Sequence, residues 1–223
     1  MHQYRHCSSA EELARAAADH LAGLILECVE HRGRCRVALP GGNTPARCLA
    51  LLAQASLPWE RVHWYLGDER CYPAGHDGRN DVMLDAQLWS RIDAAAGNRH
   101  PIAAELGPEP AAALYSEEIR AAGLLDIALL GMGEDGHTAS LFPDNEALGD
   151  TRPVVPVHRA PKPPPERVSL GISTLQSATE RIVLVAGRDK RDALRRVEAG
   201  ERLPITLVGP LLWFIDAGAA GES

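Results

Sequence analysis

In the stretch DIALLGMGEDGHTASLFP, residues 126–143, Asp135 and His137 stand two residues apart. A carboxylate at that distance fixes an imidazole's tautomer and stabilises its protonated form, which is how a general base is built. Histidine's ordinary pKa of about 6.5 lets such a base take a proton from water near neutral pH. Most of the nine histidines in a chain like this are surface or structural residues, but a glycine-rich turn directly after an apolar run sets this one apart. The sequence has no G-x-S-x-G elbow for a covalent nucleophile, no H-E-x-x-H and no paired cysteine spacing for a metal. The expected chemistry is direct attack by water, with neither metal nor covalent intermediate.

The same stretch counts as G-x-G-x-x-G through Gly131, Gly133 and Gly136, which raises a dinucleotide-binding loop as the alternative. That reading requires a long helix after the third glycine, and Pro143 falls seven residues on. It also requires an acidic residue at the end of the next strand, whereas Asp150 precedes the apolar run there. Glu134 and Asp135 would in addition face two phosphates. A bland alternative is that the glycines only make a tight turn.

Two more loops carry possible chemistry. LPGGNTP, residues 39–45, offers the backbone N–H groups of Gly41, Gly42, Asn43 and Thr44 to an anion, with a helix dipole behind them. It lacks the lysine of a nucleoside-triphosphate loop, and a plain strand-to-helix turn is its structural alternative. GDERCYPAGHDGRND, residues 67–81, gathers Asp68, Glu69, Arg70, His76, Asp77 and Arg79. A solvated charged loop is the ordinary reading of such a run. Arg70, however, stands at a strand's carboxyl end, where it can grip a phosphate bidentately. Arg167 and Lys190 flank two later strands, where each can add positive charge to the same site or simply face solvent.

The elements that must position these loops alternate. Ser8 and Ser9 precede Glu11 and Glu12 in two overlapping capping-box registers, and Leu13, Ala17, Leu21, Leu24 and Val29 recur at helical spacing toward Gly33. CRVAL (35–39) reads as a strand and ARCLALLAQ as a helix with Pro45 near its first turn. RVHWYLGDER (61–70) reads as a strand, then DVMLDAQLWSRI (81–92) and AALYSEEIRAAG (112–123) as helices. DIALL, RVSLGI (167–172) and RIVLVAG (181–187) follow as strands, then a helix from about Arg188 to Val197 and a last strand around LLWFID (211–216). Strands alternating with helices predict an α/β fold: a mainly parallel twisted sheet, Rossmann-like, with helices on both faces. The proline-rich run HRAPKPPPER (158–167) reads as an extended connector inside one domain spanning residues 1–223, since the strands after it are too few to build a core alone.

With 45% hydrophobic and 24% charged residues in 223, the composition is that of an ordinary globular chain. A formal net charge of -7 argues against a nucleic-acid partner. The five cysteines, Cys7, Cys28, Cys35, Cys48 and Cys71, form no C-x-x-C pair and read as free thiols in a reducing, cytoplasmic compartment. MHQYRHCSSAEELARAA has no apolar signal region, and no run is long enough to span a membrane.

Taken together, LPGGNTP, GDER with its trailing HDGRND, GMGEDGHTASLFP, PKPPPERVSL and GRDKRDAL resemble, in order and over nearly the whole chain, the 6-phosphogluconolactonases of the pentose phosphate pathway. GEDGHTASLFP is the specific piece. The resemblance implies hydrolysis of 6-phospho-D-glucono-1,5-lactone to 6-phospho-D-gluconate, the second step of the oxidative branch. It implies the fold shared with glucosamine-6-phosphate deaminases and ribose-5-phosphate isomerases, and no cofactor. It carries the catalytic role onto His137 with Asp135 beside it, and substrate contacts onto Gly41, Gly42, Asn43, Thr44, Asp68, Arg70, Arg167 and Lys190. The partner it implies is a small sugar-phosphate lactone, with no nucleic acid and no membrane, bound by a monomer or weak homodimer.

Two residues depart from the family's pattern. Serine is usual where Asn43 stands, and serine usually precedes the asparagine where Arg79 precedes Asn80. An amide still donates to a phosphate oxygen, while Arg79 either adds a substrate contact or points outward. Two rival functions differ in class. An amino-sugar-phosphate isomerase or deaminase carries isoleucine, alanine, phenylalanine and asparagine after the glycine-histidine, where this chain has Thr138, Ala139, Ser140 and Leu141. A sugar-phosphate sensor would call for an attached DNA-binding helix-turn-helix, for which the chain has no room.

Overall fold

The computed structural model describes residues 2–93 and 96–221. In chain order the elements are β1 (Gln3–Cys7), α1 (Ala10–Arg32), β2 (Cys35–Leu39), α2 (Asn43–Leu52), β3 (Val62–Leu66), β4 (Asp68–Arg70), α3 (Asn80–Gln87), β5 (Arg99–His100), α4 (Pro108–Ala122) and β6 (Ile127–Gly131). They continue with β7 (Val154–Val157), β8 (Arg167–Leu170), α5 (Ile172–Ser177), β9 (Glu180–Val185), α6 (Arg191–Glu198), α7 (Pro204–Leu207), β10 (Leu212–Asp216) and α8 (Ala217–Ala220).

Seven strands form one sheet in the order β1-β10-β9-β6-β2-β3-β5, and every pairing in it is parallel. Its central strands are near-continuous apolar runs, VHWYL in β3 and IALLG in β6 among them. Successive side chains point to opposite faces, so their common burial means that both faces are covered, as parallel sheets require. β4, β8 and β7 form a second, antiparallel sheet in that order.

Helix α1 shows how local sequence sets an element. Glu12 N–H donates to the Ser9 hydroxyl at 3.2 Å, while the Glu12 carboxylate turns back to Ser8 N–H at 2.7 Å, one residue earlier than a simple capping box. The buried stripe runs Leu13, Ala17, Leu21, Ile25, Val29, with Leu24 only partly covered, and Gly33 at φ 74 ends the helix.

Several expectations shift in detail. RVHWYLGDER is two strands: the chain turns at Gly67, leaving β3 in the parallel sheet and sending β4 to the second one. RVSLGI supplies β8 of that second sheet, so the strands do not all share one mainly parallel sheet. The helices around 81–92 and 188–197 are each part α-helix and part 3-10 turn, at Trp89–Arg91 and Arg188–Lys190. β1 had no signal in the sequence.

The strand order positions the site. β2 and β6 are neighbours, and the chain continues from β2 to β3 on one side and from β6 toward β9 on the other. The loops leaving these two strands therefore diverge and open a crevice at their carboxyl ends, the switch point where such sheets bind ligands.

Candidate active site

A cleft of about 530 Å³ occupies that crevice. The loop after β2 lines it through Pro40 to Pro45, the β3–β4 segment through Asp68 and Arg70, the loop after β6 through Met132, Gly133, His137 and Ala139, and the segment after β9 through Asp189 and Lys190. The proline-rich connector adds Lys162 and Pro163, and β8 adds Arg167. Every residue onto which the resemblance carries a catalytic or substrate role lines this cleft except Asp135, which reaches it through His137.

After β6 the chain makes turns, not a helix: Gly136 N–H donates to the Gly133 carbonyl at 3.0 Å and Gly133 N–H to the His137 carbonyl at 2.9 Å. The helix that a dinucleotide loop needs is missing from residues 132–145. The turn folds Asp135 onto His137, with Oδ1 2.5 Å from the imidazole Nδ1 and accepting the His137 backbone N–H at 3.1 Å. Burial raises the Asp135 carboxyl, but the hydrogen bonds and charge of His137 outweigh it and bring it down to about 2. Asp135 is therefore a carboxylate at any ordinary pH, and its bond occupies Nδ1 and not Nε2 of the imidazole. The ring packs at 4.4 Å on fully buried Phe142.

Across the cleft, α2 begins at Asn43 with no side chain among the described residues capping its N-terminus. Asn43, Thr44 and Pro45 of its first turn line the cleft, and Pro45 removes a donor where the helix has no use for one. Uncapped N–H groups with the helix dipole behind them make a ready anion site.

Asp68 is 4% exposed and held from both sides. Asn80 Nδ2 donates to its carboxylate at 3.1 Å and to its backbone carbonyl at 2.8 Å, and the Ser140 hydroxyl donates to Oδ2 at 2.5 Å. Glu69 in turn fixes Asn80, accepting the N–H groups of Asn80 and Asp81 at 2.7 and 2.8 Å and so capping α3. Burial pushes Glu69 up to about 7 against those bonds. Asn80 and Ser140 escaped sequence reasoning because they come from separate elements and share no spacing with Asp68.

Arg70 Nη1 donates to the Gly78 carbonyl at 2.6 Å, while its buried Nε has no partner among the described residues. An orphaned guanidinium N–H beside an open cleft is a ready contact for an anionic ligand. Arg167 is 5% exposed and largely spent on the chain: it donates to the carbonyls of Pro164, Lys162 and Pro163 at 3.0–3.1 Å and contacts the Ser140 hydroxyl at 3.4 Å. A guanidinium has five N–H donors, so it holds the connector in place with about one left for a ligand. Lys190 pairs with Asp189 and Lys162 with Glu134, each at 2.9 Å. Such exposed pairs are worth little, so a phosphate can compete for both ammonium groups. Lys162 is a cleft residue the sequence reading passed over; its signal was a single cation in a run of prolines.

Arg79 does neither of the two things expected of it. It is 3% exposed and lies outside the cleft, paired with Asp81 at 2.7 Å and Glu105 at 2.9 Å, and donating to the Ile102 carbonyl at 3.0 Å. It pins the 67–81 loop from beneath.

Residues 8–213 match the family model described as glucosamine-6-phosphate isomerases/6-phosphogluconolactonase. A 6-phosphogluconolactonase of Streptomyces coelicolor is 34% identical over 237 residues, covering 95% of this chain and 91% of its own. The crystal structure of 6-phosphogluconolactonase from Thermotoga maritima superposes with a TM-score of 0.91 at 28% identity, over 97% of this chain and 100% of that one. A monomeric glucosamine-6-phosphate deaminase, 20% identical, superposes at 0.86 over 99% of this chain and 100% of its own, which shows the shared fold. The chain thus belongs to the glucosamine-6-phosphate isomerase/6-phosphogluconolactonase family and stands with its 6-phosphogluconolactonases, which are hydrolases.

Proposed function

We propose that the chain hydrolyses 6-phospho-D-glucono-1,5-lactone to 6-phospho-D-gluconate, with His137 as general base. The observation that carries the reading is one cleft holding the Asp135–His137 pair, an uncapped helix N-terminus and four cationic side chains, Arg70, Lys162, Arg167 and Lys190. In a chain of net charge -7, that local excess of positive charge selects an anionic ligand.

In this mechanism Nε2 of His137 takes a proton from a water as its oxygen adds to lactone C1. Backbone N–H groups at the cleft stabilise the oxyanion, and the imidazolium returns the proton to the ring oxygen as the C1–O bond breaks. Asp135 holds the tautomer throughout. The remote phosphate is held by Arg70 and Lys190 with the Gly41–Thr44 loop, Arg167 orders the connector that carries Lys162, and Asp68 accepts from a sugar hydroxyl. Those contacts orient C1 beside Nε2.

As one domain, residues 1–223 would share a single core, and a buried cluster running through strands of both sheets supports this. A cytoplasmic setting is supported by five cysteines that are all free thiols. No helix among the described residues is long and apolar enough to cross a membrane. Acid release from freshly generated lactone, measured against spontaneous hydrolysis, tests the proposal. Acceleration there with no turnover of glucosamine 6-phosphate supports it, and the reverse pattern assigns the chain to the deaminases of the family instead.

A further inference from the structure

At the amino ends of the two switch-point strands, away from the cleft, a second group of reactive side chains converges. Cys28 lies near the end of α1, Cys35 opens β2 and Asp126 immediately precedes β6, and their two sulfurs and a carboxylate oxygen all lie within 4.8 Å of one another. We propose that Cys28, Cys35 and Asp126 form a site for a thiophilic divalent cation, zinc in the first instance, bound through two thiolates and one carboxylate oxygen.

Tetrahedral zinc, with bonds of about 2.3 Å to sulfur and about 2.0–2.2 Å to oxygen, sets its ligand atoms roughly 3.5–3.8 Å apart. The three atoms therefore need to close by about an ångström at most. The short link from α1 to β2 turns at Gly33 and lets them do so. Cys28 Sγ contacts the Arg34 carbonyl at 3.3 Å, a weak bond that a metal easily replaces. Asp126 is held ready, with Oδ2 accepting Arg36 N–H at 2.8 Å and Oδ1 paired to Arg32 at 2.6 Å.

The residual charge is also met. Two thiolates and a carboxylate around a divalent ion leave one negative charge, and two guanidinium groups lie at the Asp126 carboxylate, Arg36 at 3.9 Å and Arg32 at 2.6 Å. The Arg32 side chain is 52% exposed, so it can yield the first coordination sphere while staying close. Cys35 is fully buried and Cys28 partly exposed, which leaves solvent the fourth position and gives the ion a way in. The C-x6-C spacing matches no zinc-finger pattern, and the third ligand is the residue before β6, ninety-one positions after Cys35.

The site lies a strand's length from the cleft, about 16 Å for five residues. Zinc there should join the amino ends of β2 and β6 and raise the unfolding temperature while leaving lactone turnover unchanged.

The test uses the full chain, reduced with a phosphine and stripped of metal. Zinc is titrated in competition with a chromophoric chelator, and cobalt(II) serves as the spectroscopic probe. One equivalent of zinc should bind, with a thiolate-to-cobalt charge-transfer band. Cys28→Ser, at the partly exposed position, should weaken zinc binding by at least about 100-fold and abolish the band, since even outer-shell losses cost 10–100-fold. His137→Ala should bind zinc as the parent does. Uptake unchanged in Cys28→Ser, uptake lost in His137→Ala, or no uptake by the parent chain would each overturn the assignment.

Discussion

Gly133 stands directly against His137: a Cβ added at Gly133 would lie 2.0 Å from the imidazole Nδ1, 2.1 Å from Cε1 and 2.7 Å from Asp135 Oδ1. The second glycine of the G-x-G-x-x-G count is there to admit a histidine ring. Gly133→Ala must displace the imidazole, and displacements of about 1 Å cost roughly 10²-fold in rate. The expected result is a kcat lower by that order with KM little changed. A kcat within twofold of the parent's would show that the ring position does not matter.

Arg70 offers a buried N–H with no partner among the described residues. If a substrate phosphate satisfies it, Arg70→Ala removes a charge-assisted bond worth about 1.5–3 kcal/mol. KM should rise roughly 10- to 100-fold with kcat nearly preserved. Steady-state kinetics that show a fall in kcat alone would take Arg70 out of the phosphate site.

The Asp135 carboxyl titrates at about 2 in the folded chain, below the ordinary aspartate value of 3.8. A folded pKa below the unfolded one adds stability that is present above the unfolded value and lost as pH falls through the folded value. Asp135→Asn should therefore cost up to about 2 kcal/mol near pH 6, with the difference fading between about pH 4 and pH 2. Urea unfolding of both proteins across that range measures it. A difference that stays constant with pH would show that the pair is not ionic.

Arg79 is a buried cation amid Asp81, Glu105 and Glu69, the last at 4.0 Å. Arg79→Ser, which installs the family's usual residue, strands those carboxylates and should cost about 3–5 kcal/mol of stability. The folded protein's KM should stay within a few-fold of the parent's. A large KM change with intact stability, seen by calorimetry and kinetics together, would return Arg79 to the substrate.

What the sequence revealed follows from where each signal lies. The β2 loop and the DGH turn were readable because each is one short segment whose residue types define its geometry, and Pro143 excluded a following helix by itself. β1 went unseen because it is an edge strand with four of its five residues exposed, so it carries no apolar alternation. The second sheet was hidden because β4 is three charged residues, Asp68–Arg70, separated from β3 by Gly67 alone, so no apolar run marks it as a strand of its own. Ser140 holds Asp68 across 72 positions, and Cys28 and Cys35 meet Asp126 across even more. Contacts of that range are set by strand order.

The central claim, that His137 activates water against the lactone, is tested most directly by acid release from freshly generated 6-phospho-D-glucono-1,5-lactone with the parent chain and with His137→Ala, each set against the spontaneous rate. General-base catalysis of this kind contributes about 10²–10⁴-fold, so the variant's kcat should fall by at least about 10² while the protein stays folded. A folded His137→Ala protein that turns over lactone at close to the parent's rate would contradict the account.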